Sequence, residues 1–327
     1  MLLAGDIGAT KTLIGLFAPA DARPRLVDLR TVTTLEYDSL ETIIARFLDQ
    51  HPGAGRIAAA TFGVAGPIVE QVARLTNVPW EVDGAAVRDL FGFPHLTLLN
   101  DLQAMAYSVP VLEADELEVL QKGIPAPTGN AALIAAGTGL GEALLHHVEG
   151  RFIPSPTEGG HADYAARTPR EIGLLQALIR WHGRGEYEQV LSGPGLMNIH
   201  RYVHAGGACT AGDPGEDPAA GPARVSAAAL EGRCPRCVET LDLFATAYGA
   251  EAGNLALHSM ASAGVFVGGG IAPKILPALR TGAFMDAFRD KGLMTEFLSQ
   301  VPVAVILNDR AGLLGAAVHA NHTAQLR

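Results

Sequence analysis

Short apolar runs at residues 2–7 and 13–17 flank a polar tip, Gly8-Ala9-Thr10-Lys11. Two strands joined by so short a tip predict a β-hairpin at the start of the chain. A third strand is expected over 26–32. Residues 39–50 carry Leu40, Ile43, Ile44, Phe47 and Leu48 at helical spacing. Runs at 57–64 and 95–99 read as buried strands. Between them 83–91 reads as a helix, with Asp83 in the N-cap position. Strands and helices alternate, which is the pattern of an α/β layer.

The pattern then starts again. A strand at 131–136 runs into Gly137-Thr138-Gly139-Leu140-Gly141, and a second apolar run follows at 143–148. Strand, glycine-threonine turn and strand thus occur twice, which predicts two related halves. Helices are expected at 170–181, 196–204 and 237–260. A strand at 265–267 leads into Gly268-Gly269-Gly270, and a last strand at 303–307 precedes a helix at 311–320. Residues 206–224, rich in Gly, Pro and Ala, read as a surface loop within the second half.

Composition narrows the function classes. With 48% apolar and 18% charged residues, the chain has material for a buried core and no signature of disorder. A net charge of −10 argues against a nucleic-acid surface, which needs clustered Lys and Arg. No apolar run reaches the roughly 18–20 residues that span a bilayer. Met1-Leu2-Leu3 leads into Gly5-Asp6 without the basic start of a signal peptide. Three cysteines make no disulfide framework. A cytoplasmic protein is expected, with no membrane partner.

Several motifs carry candidate chemistry, each against an ordinary structural reading. Gly5-Asp6-Ile7-Gly8-Ala9-Thr10-Lys11-Thr12 comes close to a phosphate-binding loop. However, Thr10 stands where that loop needs a glycine, and the segment lies between two strands. A hairpin tip can still offer N–H and hydroxyl donors to a phosphate, with Asp6 placed to orient magnesium or its waters. The ordinary reading is a plain turn. Gly137-Thr138-Gly139-Leu140-Gly141 allows close backbone approach to a ligand, but Glu142 breaks the dinucleotide fingerprint. Gly268-Gly269-Gly270 exceeds what a tight turn requires. Asn100-Asp101 ends one strand and opens a helix, where both residue types are also favoured as caps. Glu158-Gly159-Gly160-His161 sets a carboxylate and an imidazole close together, as hydroxyl-rich ligands need. Cys234-Pro235-Arg236-Cys237 has redox spacing, yet no strand precedes it, and no second cysteine pair or nearby histidine completes a zinc site. It reads as a helix start, and no metal site is expected.

Taken in order, these motifs resemble the bacterial glucokinase family of the actin and hexokinase superfamily. The matching pieces include Thr76-Asn77, Leu191-Ser192-Gly193-Pro194-Gly195-Leu196, Gly268-Gly269-Gly270-Ile271 and Gly312-Leu313-Leu314-Gly315, beside those above. They run from the first strand to the last helix. The resemblance implies a two-domain actin-like ATPase (ribonuclease H-like) α/β fold with a cleft between a small and a large domain. The expected bounds are 1–110 plus 308–327 for the small domain and 111–307 for the large one. It implies glucose and ATP as small-molecule substrates, Mg2+ as cofactor and a homodimeric assembly. Asp101 resembles the catalytic base for the sugar 6-hydroxyl. Asn100, Asp101, Glu158, His161 and Glu188 resemble the sugar-binding set. Asp6, Gly8, Ala9, Thr10, Lys11, Thr138 and Gly139 resemble the phosphate loops, and Gly269 and Gly270 the adenosine contact. The related ROK kinases carry a cysteine-rich zinc motif just after their E-G-x-H segment, whereas here no cysteine follows until Cys209. The zinc-free branch is therefore the better match. The rival readings are a kinase for another hexose or an amino sugar, a sugar-sensing regulator and a phosphatase. A regulator needs a DNA-binding module, for which a hairpin beginning at residue 2 leaves no room. A phosphatase would leave Glu158 and His161 without a purpose.

Overall fold

Alternation along Leu2–Ile7 sends Leu2 and Ala4 to one face of a sheet and Leu3 and Ile7 to the other, and all four are buried. The structure is a computed structural model and describes residues 1–52, 55–75, 78–215, 217 and 220–325. Thr76-Asn77 lies outside the described residues. The chain divides into two compact units. One comprises Met1–Glu113, Phe152–Pro156 and Asn308–Arg327, and the other Ala114–Arg151 and Thr157–Leu307.

In the first unit, Leu2–Ile7 pairs antiparallel with Lys11–Ala18, which pairs antiparallel with Arg25–Thr33. On its other side it runs parallel to Ala59–Val64, and that strand runs parallel to Leu96–Asn100. Helix Leu40–Asp49 buries Leu40, Ile43, Ile44 and Phe47 on the face that carries Leu3 and Ile7. The opposite face is covered by Ala311–Gln325, whose Leu313, Ala316, Ala317 and Ala320 pack with Leu2, Ala4 and Ala104. Small residues there let that helix lie close to Asp101–Ser108.

The second unit repeats the opening of the first. Ala131–Ala136 pairs antiparallel with Leu140–Val148 and parallel with Gly264–Gly268, which runs parallel to Val303–Ile306. The long helix Pro235–Ser259 covers this sheet. Its buried Tyr248 accepts a 3.1 Å hydrogen bond from the Ala136 N–H, tying helix to strand. The internal repeat seen in sequence is thus a repeat of topology.

Two features differ from the sequence reading. Residues 206–224 are not loop throughout, because helix Ala220–Leu230 begins inside them, its alanines favouring helix over the neighbouring Gly and Pro. Strand Leu117–Gln121 pairs antiparallel with Val303–Ile306 and had no signal. Four half-exposed residues around an exposed Val119 at a sheet edge carry too little alternation to stand out.

Candidate active site

In the first unit the parallel register brings chemistry to one edge of the sheet. Ile7 lies beside Val64, and Val64 beside Asn100, so Asp6, Gly8 and the Asn100-Asp101 pair sit where these strands end. Ligands of open α/β sheets gather at such carboxyl ends. The hairpin tip closes with a 3.1 Å bond from the Gly8 N–H to the Lys11 carbonyl, leaving Thr10 and Lys11 exposed. Thr34, which sequence reasoning missed, braces the tip: its hydroxyl donates to the Gly8 carbonyl at 2.7 Å and lies 2.9 Å from that of buried Thr12. No local signal marks Thr34, because its partners are some 22 to 26 residues away.

Asn100 caps helix Asp101–Ser108, its Oδ1 accepting from the N–H groups of Leu102 at 3.0 Å and Gln103 at 3.4 Å. The cap reading of Asn100 is therefore fulfilled, which leaves its amide Nδ2 as the group facing outward from the cap, 3.4 Å from the Gly66 carbonyl. Asp101 is the first residue of the helix, and its Oδ1 accepts from Leu102 N–H at 2.9 Å. The titration of Asp6 is moved by its surroundings. Burial, followed by the charge of Asp101, pushes its carboxyl up to about 6, against the pull of Lys11. A β-carbon on Gly312 would stand 2.7 Å from Asp6 Oδ2, so only glycine at the start of Ala311–Gln325 leaves that carboxylate its place.

In the second unit Gly137 and Gly269-Gly270 follow the ends of adjacent parallel strands. Gly269 has φ +81°, and a β-carbon there would lie 2.3 Å from the Ala136 carbonyl oxygen. Its glycine is demanded by the fold. A β-carbon on Gly137 or Gly270 would meet no atom within 4 Å. Packing within the described residues does not require glycine at those two positions. Thr138, at the turn tip, is exposed.

Glu158, His161 and Glu188 are brought together by backbone bonds. The Glu188 N–H donates to the Gly160 carbonyl at 2.8 Å, and the His161 N–H to the Glu158 carbonyl at 3.0 Å. Glu188 Oε2 in turn accepts from Leu140 N–H at 2.9 Å, which locks this carboxylate to the glycine-rich turn. Glu158 opens the short helical turn Gly159–His161 without capping it, and its carboxylate is exposed. Glu186, not foreseen, joins the group with Oε1 3.3 Å from His161 Nδ1. His161, Glu186 and Glu188 each place a ligand atom within 4.8 Å of the others. Beneath Gly159 lies a further carboxyl, Glu142, pushed up to about 8 by burial and by the charge of Glu251. Among the described residues no helix is long and apolar enough to cross a membrane.

Paired sheets that each open with a hairpin, a carboxylate at the head of a helix and glycine turns at the strand ends define a sugar kinase of the actin-like ATPase fold. The comparisons agree. The solved structure of a glucokinase from an Antarctic psychrotroph superposes with a TM-score of 0.88 at 31% identity, covering 98% of each chain. The ROK family glucokinase of Streptomyces griseus, solved with glucose and AMPPNP, shares the fold at a TM-score of 0.64 and 23% identity over 98% of this chain and 99% of that one. The Glucokinase family profile matches residues 3–323. Nostoc punctiforme glucokinase is 37% identical over 97% of this chain and 98% of its own. The chain belongs to the glucokinase family.

Proposed function

We propose that this chain is an ATP-dependent glucokinase in which Asp101 is the general base. The observation that carries the assignment is the position of Asp101, on the first turn of a helix at the sheet edge that also holds Asp6 and the Gly8 turn. Oxygen O6 of glucose attacks the γ-phosphorus of ATP, and the bond from that phosphorus to the β–γ bridging oxygen breaks. The hydroxyl proton passes to the Asp101 carboxylate, and ADP leaves with the bridging electron pair. Glu158, His161 and Glu188 accept from and donate to the ring hydroxyls, with Asn100 contributing its amide. The open glycines 137 and 270 leave space for nucleotide against the backbone; the Gly8 and Gly137 N–H groups are spent inside their own turns, so phosphate oxygens face the exposed tips at Thr10 and Thr138.

Magnesium fits the residues present, because a half-buried Asp6 held against the charge of Asp101 is an arrangement that a cation relieves. Asp6 would hold the ion through its waters, and the chemistry the ion supplies is screening of phosphate charge. Lys11, exposed beside the tip, adds a positive charge on the same edge.

A coupled assay of ADP release across a panel of hexoses and amino sugars tests the substrate. The largest kcat/KM should fall on glucose, and a larger value on an amino sugar would favour the rival kinase reading. Asp101→Asn tests the base. It keeps the shape and the cap of the helix but loses the proton acceptor, so glucose binding by calorimetry should persist while turnover drops by about 10²–10⁴. Turnover within about tenfold of the parent would remove Asp101 from that role.

A further inference from the structure

All three cysteines of the chain, at positions 209, 234 and 237, meet in one place in the second unit, together with two histidines. Cys209 Sγ lies 3.5 Å from Cys237 Sγ, and Cys234 Sγ lies 3.6 Å from His204 Nε2. In a tetrahedral zinc site with Zn–S of about 2.3 Å and Zn–N of about 2.0–2.1 Å, sulfur–sulfur edges are about 3.8 Å and sulfur–nitrogen edges about 3.6 Å. The sulfur–nitrogen distance matches such an edge, and the sulfur–sulfur distance is shorter than one by about 0.3 Å. His200, His204, Cys209 and Cys237 also place their donor atoms within 4.8 Å of one another.

The surroundings are built for such an ion. His204 Nδ1 is 2.9 Å from the His200 carbonyl oxygen, which can only accept. The proton of the neutral ring therefore sits on Nδ1, and Nε2 offers its lone pair towards Cys234. Histidines that ligate metals are oriented in this way by a hydrogen bond from the other ring nitrogen. The His200 ring stacks on His204 with centroids 3.8 Å apart, and its buried Nε2 has no hydrogen-bond partner. Cys234 stands at the N-cap of Pro235–Ser259 without capping it, its Sγ lying towards His204. A cavity of about 230 Å³, lined by Cys209, Asp213, Arg224, Arg233 and Cys237 among others, gives an ion a way in.

We infer that Cys209, Cys234, Cys237 and His204 form a structural zinc site that pins residues 204–210 to the start of the helix Pro235–Ser259. With four protein donors the site is closed, so its role is to hold the loop and the end of Gly193–Val203 rather than to do chemistry. The expectation of no metal at Cys234 and Cys237 rested on the lack of a second pair or a nearby histidine in sequence. Folding supplies a third cysteine and a histidine, Cys209 and His204, from 25 and 30 residues upstream of Cys234.

The test is metal content of the full chain, purified reduced, without chelator and with any affinity tag removed. Elemental analysis should find about one zinc per chain. After stripping and competitive titration against a chromophoric chelator, Cys209→Ser and His204→Gln should each weaken zinc binding by about a hundredfold or more. Both positions lie outside the helices, so these variants keep the fold, which circular dichroism checks. Cobalt in place of zinc should give the visible absorption of a tetrahedral thiolate site. Zinc below stoichiometry after reconstitution, affinity unchanged by both substitutions, or a Cys209–Cys237 disulfide in place of two metal-protected thiols would each overturn the assignment.

Discussion

At Asp6 the fold holds a carboxyl group near a second negative charge, and the cost is readable as a pH dependence. Its folded pKa, about 6, lies above the ordinary 3.8. A raised value means that the folded state binds the proton more tightly than the unfolded one. The stability this confers is complete below the unfolded value and is lost as pH rises through about 6. Asp6→Asn, which cannot ionise, should therefore gain in melting temperature relative to the parent as pH rises from about 4 to about 7. Calorimetric scans across that window check the sign, and a constant difference would mean that Asp6 is ionised throughout. The same variant should lose most of its kcat at saturating magnesium if Asp6 orients the ion, so stability and activity move in opposite directions. Such opposition is the expected mark of a residue kept for function.

The glycine turns separate, at the level of the element, what the fold needs from what a ligand needs. Gly269 occupies a left-handed conformation and lies against the end of the neighbouring strand Ala131–Ala136, so Gly269→Ala should destabilise by about 1–3 kcal/mol from backbone strain alone. Gly270→Ala and Gly137→Ala add a methyl group where no atom stands within 4 Å. Their melting temperatures should match the parent. If nucleotide lies against these positions, KM for ATP should rise by about tenfold with the KM for glucose little changed. Unchanged KM for ATP in both variants would show that the nucleotide lies elsewhere. The contrast matters because neighbouring glycines of one motif are expected to fail in different measurements.

For the molecule as a whole, the proposed substrate is also a stabiliser. A ligand at about a hundred times its Kd adds about 2.7 kcal/mol to the folded state. In a chain of 327 residues that amounts to a rise of several degrees in melting temperature. Glucose should produce this shift, and a hexose that is not phosphorylated should not. Equal shifts from every hexose would indicate a general solute effect instead.

The hairpins, the buried strands and the helix at Asp83 were legible in the chain because their signals are local: alternation, apolar spacing and a cap lie within a few residues of each other. Asn100 as a cap, Gly269 as a turn and the repeat of strand, turn and strand belong to the same class. Strand Leu117–Gln121 was not legible, since it is short, sits at an edge and takes its identity from Val303–Ile306 far along the chain. Only the folded chain sets Glu188 against Leu140 N–H, adds Glu186 to His161 and braces Gly8 with Thr34. Only the folded chain, likewise, gathers Cys209 and His204 around Cys234 and Cys237. Spacing along a sequence reports which side chains share a face of one element. It is silent on which elements meet, because hydrophobic burial over the whole core settles that pairing and no single segment contains it.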